Sequence, residues 1–253
     1  MSLIIGFWNI NNKSAEEIGV YIKELIDNKP LDILLLSEYH SIEAELNKYL
    51  LDDYEILYGS GVCKKVIVIK RKSLDFHICT EGKRYLVLKS NKMNLAVVGL
   101  HLQDRRNSDD DERKCELNKI LESSKETKSK KILYVGDFNC MPYDEELTLS
   151  YGMHAVLFKK EMDDNGGGKE KHYNPMLLML NEDNQTYGSY RYIDKSHPIY
   201  WYAFDQVIVS KELTNSIKDI EYLKTINGRP LLSQKYGNPL ISDHLPLVFR
   251  IGE

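Results

Sequence analysis

Leu133-Tyr134-Val135-Gly136-Asp137-Phe138-Asn139 is an apolar run that stops at a glycine and then delivers a carboxylate and an amide. Ile132–Val135 reads as a buried strand, so the polar pair falls at its end. The same arrangement recurs along the chain. Phe7-Trp8 leads to Asn9-Ile10-Asn11, Leu34-Leu35-Leu36-Ser37 to Glu38, and Val97-Val98-Gly99-Leu100 to His101. Ala203-Phe204 leads to Asp205, just ahead of Val207-Ile208-Val209, and Ser242-Asp243-His244 precedes Leu245–Phe249. A charge at the end of a buried strand loses hydration, which is costly unless a partner compensates. If these strands are neighbours, six polar clusters converge on one rim. Carboxylates gathered there repel one another, and a hard divalent cation with oxygen ligands relieves the repulsion. Glu, Asp, Asn and His suit magnesium or manganese better than zinc, which favours more His and Cys.

Taken singly, each cluster has an ordinary reading. Glu38 alone is a cap or an ion-pair partner, and His101 alone is a structural histidine. Gly136-Asp137-Phe138-Asn139 alone is a turn, and Ser242-Asp243-His244 alone is a loop or a helix start. The repetition at strand ends is what points to a site.

The remaining pattern supplies the frame. Leu3–Trp8 and Asp32–Ser37 read as strands covered on both faces. Between them Ser14-Ala15-Glu16-Glu17 fits a capping box, opening a helix to about Asn28 with Ile18, Ile22, Leu25 and Ile26 on one face. Further strands are expected at Val66–Lys70, Tyr85–Lys89, Leu95–Leu100, Gln206–Val209 and Leu247–Ile251, and helices around Asp111–Ser124 and Asp144–Ser150. Strands outnumber helices and many are spaced as hairpins, which favours two packed sheets with outer helices. Arg105–Glu112 and Asp163–Lys171 read as surface loops. Gly166-Gly167-Gly168 in the second lacks the Lys-Ser/Thr ending of a phosphate-binding loop and reads as a flexible connection.

Composition sets bounds. The chain has 253 residues, 42% hydrophobic and 28% charged, which suits one domain over residues 1–253 with a sizeable core. No apolar run is long enough for a membrane helix. No secretory signal is expected, because the strand-like Leu3–Trp8 begins almost at once. Cys63, Cys79, Cys115 and Cys140 form no Cys-x-x-Cys pair, so free thiols in a reducing cytoplasm are expected. A protein that holds duplex nucleic acid on a broad basic surface is usually more basic than this chain's net charge of −4, which weakens a nucleic-acid assignment without removing it, and local basic patches remain compatible with it.

Trp8-Asn9-Ile10-Asn11, Ser37-Glu38, Gly99-Leu100-His101-Leu102, Gly136-Asp137-Phe138-Asn139, Phe204-Asp205-Gln206 and Ser242-Asp243-His244 span nearly the whole chain. In these motifs and their order the chain resembles the endonuclease/exonuclease/phosphatase superfamily, which includes deoxyribonuclease I-like and exonuclease III-like enzymes. His172-Tyr173-Asn174-Pro175-Met176 and Thr186-Tyr187-Gly188 look like a bacterial-type subgroup. The resemblance implies an α/β (α+β) four-layer sandwich, two mixed β-sheets flanked by helices. It also implies roles. Glu38 resembles the principal metal ligand, with Asn11 and Asp243 near the metal. Asn9 and Asn139 look like phosphate-positioning amides, and Asp137 like the carboxylate that orients or deprotonates water. His244 resembles a histidine whose tautomer Asp205 fixes, and His101 one that donates to a phosphoryl oxygen. Asp137 and the His244–Asp205 pair both stand as candidates for the base, with one or two metal ions. Two departures are plain. Asn11 stands where the family's first motif usually has aspartate, which removes one negative charge. Ala203-Phe204-Asp205-Gln206 stands where Arg-Ile-Asp-Tyr is common.

The implied chemistry is metal-dependent phosphodiester hydrolysis, with a nuclease as the leading expectation and DNA or RNA as substrate. Tyr187, Tyr190, Tyr192, Tyr200, Trp201 and Tyr202 cluster before Asp205 and can stack bases, while Arg105, Arg106 and Arg191 can hold backbone phosphates. The competing expectations are a phosphatase or phosphodiesterase acting on a nucleotide or phosphoinositide, and a non-catalytic binding module on the same fold.

Overall fold

Apolar runs of five to seven residues become the central strands of two β-sheets, and the polar residues that end those runs fall at one edge of each sheet. A computed structural model describes residues 2–40, 43–107, 109–163, 169–179, 188–192, 200–235 and 237–252. The first half contains β1 (Leu3–Asn9), α1 (Ala15–Asn28), β2 (Ile33–Ser37), α2 (Glu43–Leu46), β3 (Tyr54–Leu57), β4 (Val66–Arg71), β5 (His77–Gly82), β6 (Tyr85–Ser90), β7 (Leu95–His101) and α3 (Asp110–Lys125). There follow β8 (Lys131–Asp137), α4 (Glu145–Thr148), β9 (Ala155–Val156), β10 (His172–Tyr173), β11 (Tyr190–Arg191) and β12 (Trp201–Tyr202). The chain ends with β13 (Asp205–Ser210), β14 (Ile217–Tyr222), β15 (Thr225–Ile226), β16 (Arg229–Pro230) and β17 (Leu247–Ile251).

One sheet has the order β14-β17-β1-β2-β4-β3 and the other β5-β6-β7-β8-β13-β10-β9. Both are mixed: β1 lies parallel to β2 and antiparallel to β17, and β8 lies parallel to β7 and antiparallel to β13. The period of two along each strand sends alternate residues to opposite faces. Val97, Leu133, Val135, Val207 and Val209 join Phe7, Leu35 and Ile69 in the core between the sheets. Ala96, Val98, Tyr134 and Ile208 face the other way, onto Leu117 and Ile120 of α3. Burying each large apolar side chain contributes about 1.5–3 kcal/mol. Gly99 allows the sheets to approach, since a Cβ there would lie 2.3 Å from Leu35 Cδ2.

The first helix begins as its sequence specifies. Ser14 Oγ accepts from Glu17 N, and the Glu17 carboxylate accepts from Ser14 N at 2.9 Å. Ala15, Ile18, Ile22, Leu25 and Ile26 are buried along one face of α1, the crossover between parallel β1 and β2. Elsewhere the structure departs from the sequence pattern. The helix expected over Asp144–Ser150 is a single turn, Glu145–Thr148. The Arg105–Glu112 loop contains a short turn at Arg105–Asn107 and the start of α3. Strands β3, β5 and β14 and the two-residue strands β9, β10, β11, β12, β15 and β16 are additional. Gly166-Gly167-Gly168 and Thr186-Tyr187 lie outside the described residues. Among the described residues no helix is long and apolar enough to cross a membrane.

Candidate active site

Strand register brings the six clusters together. Asn9 is paired with Ser37, the residue before Glu38. His101 is paired with Asp137, and Asp137 with Asp205 on its other side. Gly136 permits the close packing that puts them there, because a Cβ would fall 1.9 Å from the Leu100 carbonyl. The segment before β17 is tied in by Ser242 Oγ, which donates to Asn9 O at 2.6 Å, and by Trp8 Nε1, which donates to His244 O at 3.0 Å. The chain then turns through left-handed backbone at Asn11 (φ 47°), Glu38 (φ 50°) and Asn139 (φ 50°). Asparagine tolerates this region; a glutamate there carries strain, which concentrates at functional sites.

Asp137 is the hub. Its Oδ1 accepts from Asn139 N at 2.9 Å, and its Oδ2 accepts from Asn9 Nδ2 at 3.0 Å. The same Oδ2 lies 3.8 Å from His101 Nε2 and 3.8 Å from His244 Nε2. His101 Nε2 is also 3.4 Å from Glu38 Oε1, and His244 Nδ1 donates to Asp205 Oδ2 at 2.8 Å. Asn9, His101, Asp137, Asp205 and His244 are all buried. The two imidazoles are driven apart in protonation. For His101 burial dominates and lowers the pKa against the pull of Asp137 and Glu38. For His244 burial also acts downward, but the carboxylates of Asp205, Asp137 and Asp243 outweigh it and raise the pKa to about 10. Burial raises Asp205 in turn, against the stabilising pull of the imidazolium. One neutral and one charged histidine thus flank a single carboxylate, an arrangement that separates acid from base.

These groups face a hollow of about 750 Å³ that Glu38, His101, Asp137, Asn139, Asp243 and His244 help to line. Tyr190, Tyr192, Tyr202 and Phe204 form an aromatic wall beside them. The Tyr190 ring is 4.8 Å from the His244 ring and stacks on Phe204 at 5.5 Å. An isolated bridge between Tyr190 and His244 ties this wall to the site. Arg105 and Arg106 also line the hollow, each held by acids: Arg105 Nη2 lies 2.8 Å from Asp144 and 2.7 Å from Glu146, and Arg106 Nε lies 2.7 Å from Asp104. Asn11 and Arg191 line a separate neighbouring hollow of about 410 Å³, which shares Asp243 and Tyr192 with the first. Arg191 lies 5.9 Å over the Trp201 ring on the β11–β12 ribbon.

Lys65, Arg84 and Tyr143 line the main hollow too and went unnoticed in the sequence. Their one signal is that Lys65 and Arg84 each directly precede a strand. The buried amides of Asn174 and Gln206 stand in motifs that the sequence singles out, with no role assigned to them there. Gln206 Nε2 donates to Cys140 O at 2.6 Å and Asn174 Nδ2 to Gln206 Oε1 at 2.8 Å, bracing the turn after Asn139.

Ligand atoms of Glu38, His101 and Asp137 lie within 4.8 Å of one another, as do those of Asp137, Asp205 and His244. Glu38 and Asp243 add carboxylates that are not sealed from solvent, so the donors fit a hard, oxygen-seeking cation. Cys140, Asp144 and Glu146 form a third group, but Arg105 and Arg113 already neutralise its two acids.

No protein-family model matches the chain, and no curated protein matches it in sequence. Solved structures do match in fold. A humanised TDP2 from D. rerio superposes with a TM-score of 0.63 at 17% identity, covering 100% of this chain and 99% of that one. The 3' phosphatase NExo from Neisseria, bound to a product DNA hairpin, gives 0.61 at 14% identity, covering 99% and 100%. An AP endonuclease from Archaeoglobus fulgidus gives 0.57 at 14% identity, covering 99% and 100%. These proteins share the deoxyribonuclease I-like fold of the endonuclease/exonuclease/phosphatase superfamily. The present chain has that fold, with its two mixed sheets and few helices.

Proposed function

We propose that this protein is a divalent-metal-dependent phosphodiester hydrolase that cleaves nucleic acid. The observation that carries the reading is the placement of Asp137 Oδ2 at 3.8 Å from both His101 Nε2 and His244 Nε2, on the floor of a hollow with an aromatic wall. Glu38 and Asp243, which line this hollow, are the residues we assign to holding magnesium or manganese; Asn11, expected beside them, lines the neighbouring hollow that shares Asp243. When bound, such an ion neutralises and polarises phosphoryl oxygens.

The chain's own groups supply the rest. Asn9 fixes Asp137 Oδ2 and Asn139 N fixes Oδ1, which leaves the carboxylate oriented to align or deprotonate a water. The His244 imidazolium, held by Asp205, donates to a phosphoryl oxygen as negative charge builds there, an interaction that strengthens in the transition state. His101 faces the same oxygen cluster from the other side. Tyr190, Tyr192 and Tyr202 offer faces on which bases stack. Support by analogy comes from D. rerio TDP2, which has been solved with single-strand DNA product. Four free thiols with no disulfide suit a reducing compartment, in keeping with a cytoplasmic enzyme.

The test is magnesium- or manganese-supplemented incubation with single- and double-stranded DNA and RNA, beside nucleotide and inositol phosphate esters. Cleavage of a polynucleotide is the expected result. Release of phosphate from the small esters alone would overturn the assignment.

A further inference from the structure

The hollow has two unlike ends. Asp137 sits at the centre between its two histidines. Beyond His244 stand Tyr190, 4.8 Å away, and the rings that stack on it. Beyond Glu38 and His101 stand two cations. Lys65 directly precedes β4, whose Val66 is the register partner of Ser37, so Lys65 lies alongside Glu38. Arg84 directly precedes β6, and its carbonyl accepts from His101 N at 2.9 Å. The two basic segments are joined by Lys64 N, which donates to Lys83 O at 3.1 Å.

This cationic end is built and held. Glu81 accepts from Ser60 N at 2.5 Å and from Cys63 N at 3.1 Å, which fixes the loop that presents Lys65. Glycine at position 59 permits that clamp, because a Cβ there would lie 2.1 Å from Glu81 Oε1. Both cations line the hollow. Arg84 Nε stands 3.7 Å from Glu116 Oε1, and a guanidinium carries five donors, so the others stay available. Lys65 makes no ion pair among the described residues, and neither cation is within ion-pair distance of Glu38 or Asp137. Merely balancing the acids of the floor would place them closer.

We propose that Lys65 and Arg84 form a second anion subsite, which binds a phosphate flanking the one that is cut. This deepens and rests on the nuclease reading. It gives the substrate a direction, with a base on the tyrosine wall, the scissile phosphate over Asp137, and the flanking phosphate between Lys65 and Arg84. It also sets the substrate class: a strand with consecutive phosphates is preferred over an isolated diester.

The experiment uses thymidine dinucleotides carrying no terminal phosphate, a 5'-phosphate or a 3'-phosphate, with magnesium or manganese. The wild type is compared with Lys65→Gln, Arg84→Gln and the double variant. A phosphate at one end, and not the other, is expected to raise kcat/KM roughly tenfold, in line with hydrogen bonds to a charged group. The double variant is expected to lose that preference, and Lys65→Arg to keep it. The preference is a ratio taken on one sample, so a partly folded variant still reports it. Equal rates on all three dinucleotides, or a preference that survives in the double variant, overturn the subsite alone. No cleavage of these or of longer DNA and RNA overturns the nuclease reading together with it.

Discussion

His244 Nδ1 and Asp205 Oδ2 meet at 2.8 Å in a buried pair drawn from β13 and from the segment before β17. The carboxylate fixes which ring nitrogen faces the hollow and stabilises the imidazolium. Asp205→Asn keeps the shape and removes the charge. It is expected to lower kcat by roughly a thousandfold or more, as loss of the carboxylate does in other His–Asp arrangements. KM should move little. Steady-state kinetics on a chromogenic phosphodiester measure the split, and an unchanged kcat would show that the pair is structural only.

Glu38 is a half-buried arm of the acidic cluster, with 27% of its side chain accessible and its backbone at positive φ. If Glu38 is the principal ligand, as proposed, it should dominate cation affinity. Glu38→Gln is expected to weaken magnesium or manganese binding by more than the roughly 10–100-fold that loss of a supporting hydrogen-bond partner costs. Titration calorimetry reads this directly. Wild-type affinity in the variant would remove Glu38 from the ligand set.

Arg113 is fully buried beside the site. Its Nε lies 3.2 Å from Glu146 Oε1, and its Nη2 donates to Phe138 O at 3.0 Å, next to Asp137. Its Nη1 donates to Gln103 O. Removing one partner of a buried ion pair leaves the other uncompensated, so Arg113→Ala should cost about 3–5 kcal/mol in urea unfolding. The pair also sets a pH dependence. Burial acts to raise the Glu146 carboxyl, but Arg105 and Arg113 overcome it and hold the pKa below its ordinary value. A depressed folded pKa contributes stability above the unfolded value of about 4.3, and the contribution is lost as pH falls through the folded value. The Tm gap between wild type and Glu146→Gln should therefore be widest near neutral pH and shrink in acid. A gap that grows in acid has the wrong sign for this account.

The four thiols are graded by environment. Cys140 is buried and burial pushes its thiol far up; burial also pushes up Cys63 and the exposed Cys79, whose Sγ donates to Val87 O at 3.3 Å. Cys115 is exposed on α3. A thiol reagent at mild alkaline pH should modify Cys115 first and Cys79 more slowly, with Cys63 and Cys140 protected until the protein unfolds. Peptide mapping after timed quenching gives the order, and native labelling of Cys140 at the rate of Cys115 would contradict it.

The central strands were legible because both faces are covered. Five consecutive buried residues in β2 leave a long apolar signature that ends where the polar tip begins. The edge strands were not. Only Tyr54 and Ile56 of β3 are buried, and β14 carries Lys218, Asp219 and Glu221, so neither stands out from a loop. The same contrast runs through the site. Asp137 and Glu38 announce themselves as charges after hydrophobic runs, and the resemblance supplied their neighbours. Lys65 and Arg84 each end a basic dipeptide in a chain with 34 Lys and Arg, and only the pairing of Val66 with Ser37 and of Tyr85 with Leu100 brings them to the hollow. Arg105 looked free in sequence, because Asp144 and Glu146 stand 39 and 41 positions away.

Everything in this account turns on Asp137 acting on a phosphodiester within a metal-loaded hollow. The most direct measurement is cleavage of a labelled single strand of DNA or RNA by purified wild type and Asp137→Ala, each with added magnesium or manganese and each with chelator. Cleavage by the wild type that needs the ion, and falls at least about a thousandfold in Asp137→Ala, is the predicted outcome. Full cleavage by Asp137→Ala, or by the wild type with all divalent ions chelated, would contradict it.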